Sequence, residues 1–110
     1  MRQLFLCVIP AGILCCLALP AAAETQSDAA KIYKANCVLC HSADGSGDNA
    51  TGKAMHAKDL RSDEVQKQSD AELSEAISKG KGKMPAFGAK LKPDDITKLV
   101  AYIRSLPNKK

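Results

Sequence analysis

Apolar residues near the C-terminal end of the chain recur at the spacing of an α-helix. The apolar face consists of Ile96, Leu99, Val100 and Ile103. Spacing at i, i+3, i+4 and i+7 is typical of a helix with one buried face. Pro93 suits the first helical position, because proline lacks the N–H that the first turn leaves unpaired. We therefore expect a helix that begins at Pro93 and ends before the next proline.

A second helix is indicated by residues 69–80. Ser69 and Glu72 have the spacing of a capping box, in which each side chain accepts a hydrogen bond from the other residue's backbone N–H. The apolar stripe that follows consists of Leu73, Ala76 and Ile77. Gly80 suits a left-handed C-terminal cap, so this helix is predicted to end there.

The first helix of the domain is predicted from Asp28 to about Asn36, with Ser27 as its N-cap. Its apolar face consists of Ala29, Ile32 and Tyr33. Ser62 is predicted to cap a single helical turn further along the chain.

The segments between these helices carry turn residues instead of a helical pattern. Residues 41–51 are rich in Gly, Ser, Asp and Asn, and residues 81–91 contain glycine and proline as helix breakers. Residues 52–60 show no clear period. Because no segment alternates as a strand does, the sequence predicts an all-α fold of about three to five helices with long loops.

The N-terminal residues 1–23 differ from the rest of the chain. Arg2 is their only charged residue, and an apolar run covers residues 4–19. This order is typical of a secretory signal peptide, here cleaved after Ala23. The apolar run is shorter than the roughly 20 residues that a spanning helix needs. We expect a cleaved signal peptide, a single domain over residues 24–110 and no stable membrane insertion after cleavage.

The size and composition of the chain limit its function. Its 110 residues are 45% hydrophobic and 25% charged, which is ordinary for a small globular domain and excludes a multidomain enzyme. A domain this small usually needs disulfides, a metal or a cofactor for stability. Three of the five cysteines lie in the predicted signal peptide, and the remaining two, Cys37 and Cys40, are too close in sequence to join distant segments. A bound group is therefore expected.

The sequence Cys37-Val38-Leu39-Cys40-His41 has the pattern Cys-x-x-Cys-His, the attachment motif of c-type haem. One helical turn between the thiols allows both to form thioethers with the two vinyl groups of one porphyrin. The adjacent imidazole then reaches the iron from one face. Attachment occurs outside the cytoplasm, where the signal peptide would send the chain. The motif predicts haem c, bound covalently through Cys37 and Cys40, with His41 on the iron.

The same residues suit other chemistries, which stay open here. The cysteines could be a redox-active dithiol, although that motif belongs at a strand-to-helix junction. They could form half a zinc site with His41 and His56, although two of those four ligands would be adjacent. A disulfide between Cys37 and Cys40 would be strained.

The second axial position of a haem iron needs a further donor, and the candidates are Met55, His56 and Met84. Met84 lies in a loop rich in helix breakers, not on an apolar helical stripe, which argues against simple core filling. Met55 follows His41 closely in sequence and is expected to pack against the haem. We predict His41 and Met84 as the iron ligands, with Met55 and His56 as alternatives.

Two protein ligands on the iron leave no position for a substrate. The predicted function is one-electron transfer at the haem edge, so we expect a carrier and not an enzyme. An open iron site would instead indicate a peroxidase or a sensor. Copurification with other subunits would indicate a part of a larger complex.

These motifs together resemble the class I c-type cytochromes, in particular the small bacterial c6/c553-like monohaem type. The attachment motif at residues 37–41 resembles that of the family. Residues 84–87 resemble its axial-methionine loop, and residues 99–103 resemble its C-terminal helix. The resemblance implies a small cytochrome c fold wrapped around one haem, and electron transfer between redox proteins.

The resemblance also implies details of packing. The first and last helices of this family cross closely at a small residue and an aromatic. The matching positions are Ala29, Tyr33, Leu99 and Tyr102. A Gly-Pro pair of the family, whose carbonyl orients the histidine ligand, corresponds here to Gly52 and Lys53. The carbonyl is kept, whereas the rigidity of the proline is lost.

Charge indicates the kind of partner. The chain has 16 basic and 12 acidic residues, a net charge of +4. Lys79, Lys81 and Lys83 precede Met84 and could steer docking onto an acidic surface of a redox partner, or simply form a solvated loop. The modest charge, without interleaved aromatics, argues against nucleic-acid binding. We expect a periplasmic monomer, in which Arg61 and nearby lysines are candidates for contacts with the haem propionates.

Overall fold

The computed structural model describes residues 21–108, and side chains from residue 23 onward. Six helices lie within that range: α1 Ala21–Asn36, α2 Val38–His41, α3 Ala50–Met55, α4 Asp63–Gln66, α5 Asp70–Lys79 and α6 Pro93–Ser105. The same range contains no strand, only one isolated bridge between Lys81 and Met84. The all-α prediction is confirmed. The expected count of three to five helices is too low, because short helices interrupt the predicted loops.

Helix α1 begins earlier than predicted. Ser27 lies inside it and does not cap it, since the helix already runs from Ala21. The residues before Ser27 include Ala, Glu and Gln, which are strong helix formers, so the helix continues through the predicted start. Most of the predicted signal peptide, residues 1–20, lies outside the described residues. Within residues 21–108, no helix is both long and apolar enough to cross a membrane.

The core is centred on the crossing of α1 and α6. Ala29, Tyr33 and Leu99 are almost fully buried there, with 1%, 2% and 1% of their surface exposed. The rings of Tyr33 and Tyr102 lie 5.0 Å apart between centroids at an interplanar angle of 42°. This offset, tilted arrangement is favourable for aromatic pairs. The crossing that the family resemblance implies is therefore present.

Helix α5 packs against α6 and begins and ends at the predicted residues, but Gly80 does not adopt the left-handed helical conformation expected of it, since its ψ is 167°. The capping box is complete: Glu72 accepts from the backbone N–H of Ser69 at 2.7 Å, and Ser69 Oγ accepts from the backbone N–H of Glu72 at 3.1 Å. Leu73 and Ile77 are buried. Gly80 ends the helix with a φ of +77°. A Cβ at Gly80 would lie 2.6 Å from the carbonyl oxygen of Met84, so glycine is needed where the chain returns.

The apolar pattern predicted neither α2 nor α3 as a helix. Helix α2 covers part of the Cys-x-x-Cys-His motif, and α3 begins in the predicted loop 41–51 and continues into residues 52–60, which show no clear period. Asn49 caps α3, since its Oδ1 accepts from the backbone N–H of Gly52 at 2.7 Å. Gly52 lowers the helix propensity of this segment, which hides the helix from a pattern search. Its lack of a side chain is required, because a Cβ there would lie 2.3 Å from the carbonyl oxygens of Cys40 and Gly47.

Arg104 of α6 binds the segment that joins α4 to α5, residues 67–69, and the helix residues on either side of it. Its Nη1 donates to the carbonyl oxygen of Gln66 at 2.8 Å, and its Nη2 donates to that of Gln68. The same guanidinium pairs with Asp70 at 3.0 Å. A single side chain therefore binds the last residue of α4, a carbonyl of the linker and the first residue of α5.

Candidate cofactor site

All six helices contribute to the wall of one cavity of about 540 Å³. Its floor is the buried core, with Tyr33, Leu73 and Leu99 among the lining residues. Its rim carries all the predicted site residues: Cys37, Cys40, His41, Met55, His56 and Met84. The fold thus collects residues from distant parts of the sequence on a single apolar cavity.

The two thiols lie at either end of one helical turn. The backbone N–H groups of Cys40 and His41 both donate to the carbonyl oxygen of Cys37, at 3.2 and 2.9 Å. Both cysteines are free and partly buried. Burial, with a smaller contribution from Cys40, raises the pKa of the Cys37 thiol to about 11, so this thiol is protonated at neutral pH. The spacing matches the two-point attachment that the motif predicts.

The imidazole of His41 is held by a backbone carbonyl. Its Nδ1 lies 2.9 Å from the carbonyl oxygen of Lys58. A carbonyl only accepts hydrogen bonds, so Nδ1 carries the proton and Nε2 keeps its lone pair. Burial lowers the pKa of His41, and the bond to Lys58 opposes this shift in part. The ring is therefore suited to bind a metal through Nε2.

The carbonyl that orients His41 differs from the expected one. The family resemblance implied a carbonyl at Gly52 and Lys53, whereas in the structure the Nδ1 of His41 lies beside the carbonyl oxygen of Lys58. Gly52 instead serves the close packing of α3 against the backbone of Cys40 and Gly47. A backbone carbonyl belongs to every residue, so no sequence signal could have identified Lys58.

Met84 closes a tight turn that begins at Lys81. The backbone N–H of Met84 donates to the carbonyl oxygen of Lys81 at 2.9 Å, and the reverse bond measures 3.2 Å. Gly82 occupies the first central position with a φ of +58°, as a two-residue hairpin turn of this kind requires. The Met84 side chain is half-buried and packs against the core. Its sulfur is thus presented by a fixed loop.

Met55 and His56 lie on the same cavity but are less enclosed. Met55 is 39% exposed at the end of α3. His56 follows in the left-handed conformation, with a φ of 55° and a ψ of 40°, and is exposed. Met84 is the candidate axial donor that packs against the core.

Charged side chains surround the cavity opening. The lysines that line the cavity are Lys58, Lys81 and Lys83. Lys79, which the sequence grouped with them, pairs with Glu75 within α5 at 2.9 Å. Arg61, the sequence candidate for propionate contacts, is engaged by Asp59 at 3.0 Å and faces Asp44 at 3.6 Å. Lys58 is itself paired with Glu64 at 2.8 Å, so Lys81 and Lys83 are better placed for such contacts than Arg61.

The donor set tests the alternatives left open by the sequence. No group of three or more His, Cys, Asp or Glu side chains among residues 23–108 is arranged to hold a metal ion, which argues against a zinc site. The cysteine pair lies at the N-cap and within the single turn of α2 and not after a strand, which argues against a dithiol oxidoreductase. An apolar cavity with two thiols, an oriented imidazole and a thioether on its rim fits haem c.

Comparison with known proteins gives the family. Residues 24–103 match the family model described as cytochrome c oxidase, cbb3-type, subunit III. Cytochrome c6 of Picosynechococcus sp. is 35% identical over 94 residues, which cover 76% of this chain and 75% of that protein. Cytochrome c6 of Aphanizomenon flos-aquae is 37% identical over 81 residues, 74% of this chain and 88% of that protein. The chain belongs to the cytochrome c family, as a small class I c-type cytochrome.

A solved structure agrees with this assignment. The c-type cytochrome KustC0563 superposes with a TM-score of 0.68 at 31% identity, covering 74% of this chain and 99% of its own. Subunit FixP of a cbb3-type cytochrome c oxidase from Bradyrhizobium sp. is 36% identical over 80 residues, but the match covers only 26% of that subunit. Family membership implies covalently bound haem c and supports a haem-containing electron carrier.

Proposed function

We propose that this protein is a periplasmic one-electron carrier whose haem c is held by Cys37 and Cys40, with His41 and Met84 as axial ligands. The observation that carries the proposal is the convergence of these four residues on one apolar cavity. When bound, haem supplies the exchange of a single electron between ferrous and ferric iron. The chain's own residues hold the group, orient it and exclude water.

Each of these residues has one task. Cys37 and Cys40 each add a thiol across a vinyl group, which forms two carbon–sulfur bonds. His41 gives the lone pair of Nε2, because its Nδ1 proton is held by the carbonyl oxygen of Lys58. Met84 gives a thioether sulfur, a weak neutral ligand that raises the potential of the iron. With both axial positions filled, no site remains for a substrate, so the protein is not an enzyme.

Met84 is favoured over Met55 and His56 for two reasons. Its loop is fixed by the paired bonds with Lys81 and by the bond from the backbone N–H of Phe87 to the carbonyl oxygen of Ile77, at 2.9 Å. Its side chain also packs against the core, whereas Met55 and His56 are exposed. A ligand on a fixed, half-buried loop reorganises little when the iron changes charge.

The proposed location rests on residues 1–23. Their basic start, apolar run and small-residue end fit export followed by cleavage, and covalent haem attachment takes place outside the cytoplasm. The exported domain would act as a monomer that meets its partners by diffusion. We assign Lys81 and Lys83, which line the cavity, to docking on an acidic surface near the haem edge.

An absorption spectrum of protein exported with haem-attachment machinery tests the proposal. A covalent low-spin haem with an iron–methionine charge-transfer band is expected. Met84→Ala should keep the covalent haem, lose this band, lower the reduction potential and admit exogenous ligands. Met55→Ala is the matched control and should keep the band. Loss of the band in Met55→Ala alone would transfer the axial role to Met55.

A second experiment tests the docking surface. Electron-transfer rates with an acidic redox partner should fall as salt is added, because screening weakens the steering by lysines. Lys81→Gln should lower the rate at low salt more than Lys79→Gln, whose lysine is already paired with Glu75. A rate that does not depend on salt would remove the assignment.

A second candidate function is that of an electron-transfer subunit bound to a cbb3-type oxidase. The observations that favour it are the description of the matching family and the similarity to part of FixP. Copurification of the tagged protein with oxidase subunits would support it. Recovery of the protein alone, with full spectral properties, would favour the diffusing carrier.

A further inference from the structure

The residue after His41 has a backbone conformation that serine rarely adopts. Ser42 has a φ of 64° and a ψ of 164°. This region is essentially restricted to glycine, because a Cβ clashes with the neighbouring backbone. A serine stays there only when its surroundings hold it in place. The identity of the groups that hold Ser42 therefore matters for the position of His41.

Three helices hold Ser42. The hydroxyl of Tyr33, on α1, donates to its carbonyl oxygen at 2.8 Å. Its backbone N–H donates to the carbonyl oxygen of Val38, on α2, at 2.9 Å. Its Oγ accepts from Nδ2 of Asn49, the cap of α3, at 2.7 Å. The strained residue is thus fixed at its N–H, its carbonyl and its side chain.

Tyr33 is the anchor with least freedom to move. Its ring is 2% exposed and packs against Tyr102 at the helix crossing. Ring packing alone needs no hydroxyl, and burying a hydroxyl is unfavourable unless it is hydrogen-bonded. The bond to Ser42 satisfies this hydroxyl. The helix crossing therefore connects directly to the peptide that follows the predicted iron ligand.

His41 is consequently fixed from two directions. Its ring is held by the carbonyl oxygen of Lys58, and its own carbonyl accepts from the backbone N–H of Gly47 at 2.7 Å. A change in the torsions of Ser42 would redirect the chain just beyond that carbonyl. The imidazole would then shift relative to Lys58.

We infer that Tyr33 is a positioning residue for the axial ligand: its hydroxyl holds Ser42 in the strained conformation that fixes the orientation of His41. This inference rests on the proposed role of His41 as an iron ligand. It assigns to Tyr33 a task beyond packing. It also explains the hydrogen bond from Tyr33, at the helix crossing, to Ser42, the residue after the ligand.

The test uses the haem-loaded protein with Tyr33→Phe, which keeps the ring and removes the hydroxyl. The NMR shifts of the haem methyl groups in the ferric state report the orientation of the histidine ring plane. We expect these shifts to be redistributed, together with a change in reduction potential. Tyr102→Phe is the matched control, because it removes a hydroxyl from the other ring of the pair and leaves the Ser42 bond intact.

The rescue experiment uses Ser42→Gly, because glycine adopts this conformation without strain. In the double variant Tyr33→Phe/Ser42→Gly, the methyl shifts should match those of Ser42→Gly alone. If Tyr33→Phe changed the methyl shifts equally in the wild-type and Ser42→Gly backgrounds, the inference would be overturned. So would a Tyr33→Phe variant that lowers the melting temperature and leaves the methyl shifts unchanged. A wild-type protein without low-spin haem would instead contradict the proposed function itself.

Discussion

Lys83 and Ala54 join two segments on the rim of the cavity: the Nζ of Lys83 donates to the carbonyl oxygen of Ala54 at 3.2 Å. Lys83 precedes the proposed ligand Met84, and Ala54 lies in the last turn of α3. A cation near the carbonyl end of a helix is also favoured by the helix dipole. The contact therefore connects the loop that contains Met84 to α3, the helix that ends at Met55.

We predict that Lys83→Gln loosens this loop. An exposed hydrogen bond contributes about 0.5 kcal/mol, which corresponds to about a twofold change in an equilibrium. Imidazole binding to the ferric haem protein, which requires the methionine to leave, should tighten by about that factor. Lys79→Gln removes the same charge from a lysine paired within α5 and should leave imidazole affinity unchanged. Equal effects of both substitutions would assign the change to charge alone.

We predict that Arg104→Lys destabilises the fold by about 1–3 kcal/mol. Arg104 donates to the carbonyl oxygens of Gln66 and Gln68 and to the carboxylate of Asp70, and a single ammonium cannot reproduce this fork. Urea unfolding of the haem-loaded protein measures the change. Lys98→Gln is the control, because Lys98 makes only a 3.8 Å contact with Asp28 and should cost less than about 0.5 kcal/mol. Equal losses in both variants would contradict the role of the guanidinium fork.

The capping box of α5 predicts a dependence on pH. The hydrogen bond from the backbone N–H of Ser69 lowers the pKa of Glu72, helped by the Ser69 side chain. A carboxyl with a lowered pKa in the folded state stabilises above its unfolded pKa, and this stabilisation disappears as pH falls through the folded value. Stability of wild type relative to Glu72→Gln should therefore shrink on acidification.

Urea midpoints of wild type and Glu72→Gln, measured from pH 6 to about pH 3, test this dependence. Ser69→Ala keeps the backbone N–H that donates to the Glu72 carboxylate but removes the Oγ that accepts from the Glu72 backbone N–H, and should cost about 1 kcal/mol near neutral pH. A constant difference between wild type and Glu72→Gln over the whole range would show that the carboxylate does not act through its charge.

We predict that the chain without haem is largely unfolded. The cavity of about 540 Å³ lies against the core, and residues of all six helices line it. Without a group to fill it, Leu73 and Leu99 lose their packing partners on one side. Circular dichroism of protein made without haem attachment should show little helix. A cooperative unfolding transition of that protein, with native helix content, would contradict the prediction.

The longer helices were predictable because each carries its own signal. Ile96 and Leu99 fall on one face of α6, which starts at Pro93 as expected, and both are buried. Lys92 precedes this start and is a poor N-cap. The carboxylate of Asp95 compensates, because it accepts from the Lys92 backbone N–H at 3.3 Å. An apolar pattern that extends over more than two helical turns thus predicts the helix and its buried face correctly.

Of the short helices, α4 was predicted from its cap, because the Ser62 Oγ accepts from the backbone N–H of Val65, whereas α2 and α3 depend on tertiary contacts. Helix α3 has six residues, fewer than a periodic pattern needs, and contains Gly52. Its position is set by packing against the backbone of Cys40. Helix α2 is a single turn of four residues within the haem-attachment motif, too short to show a helical period. Local sequence alone does not contain this information.

The site was predictable where it uses side chains and not where it uses the backbone. Cys37, Cys40, His41 and Met84 were all named from the sequence, and all line the cavity. The carbonyl oxygen of Lys58 that orients His41 was not, because a backbone carbonyl carries no residue-specific signal. The ligation of the iron by His41 and Met84 stays a prediction, which the absorption spectrum tests.

The pairing of Tyr33 with Tyr102 also has a kinetic consequence. These rings lie near opposite ends of the described chain, so their contact forms only after the intervening segment has been drawn together. Contacts between distant residues slow folding, because the loss of chain entropy precedes the gain from packing. Docking of α6 onto α1 is therefore expected to limit the folding rate. Substitutions at Tyr102 should then act mainly by slowing folding.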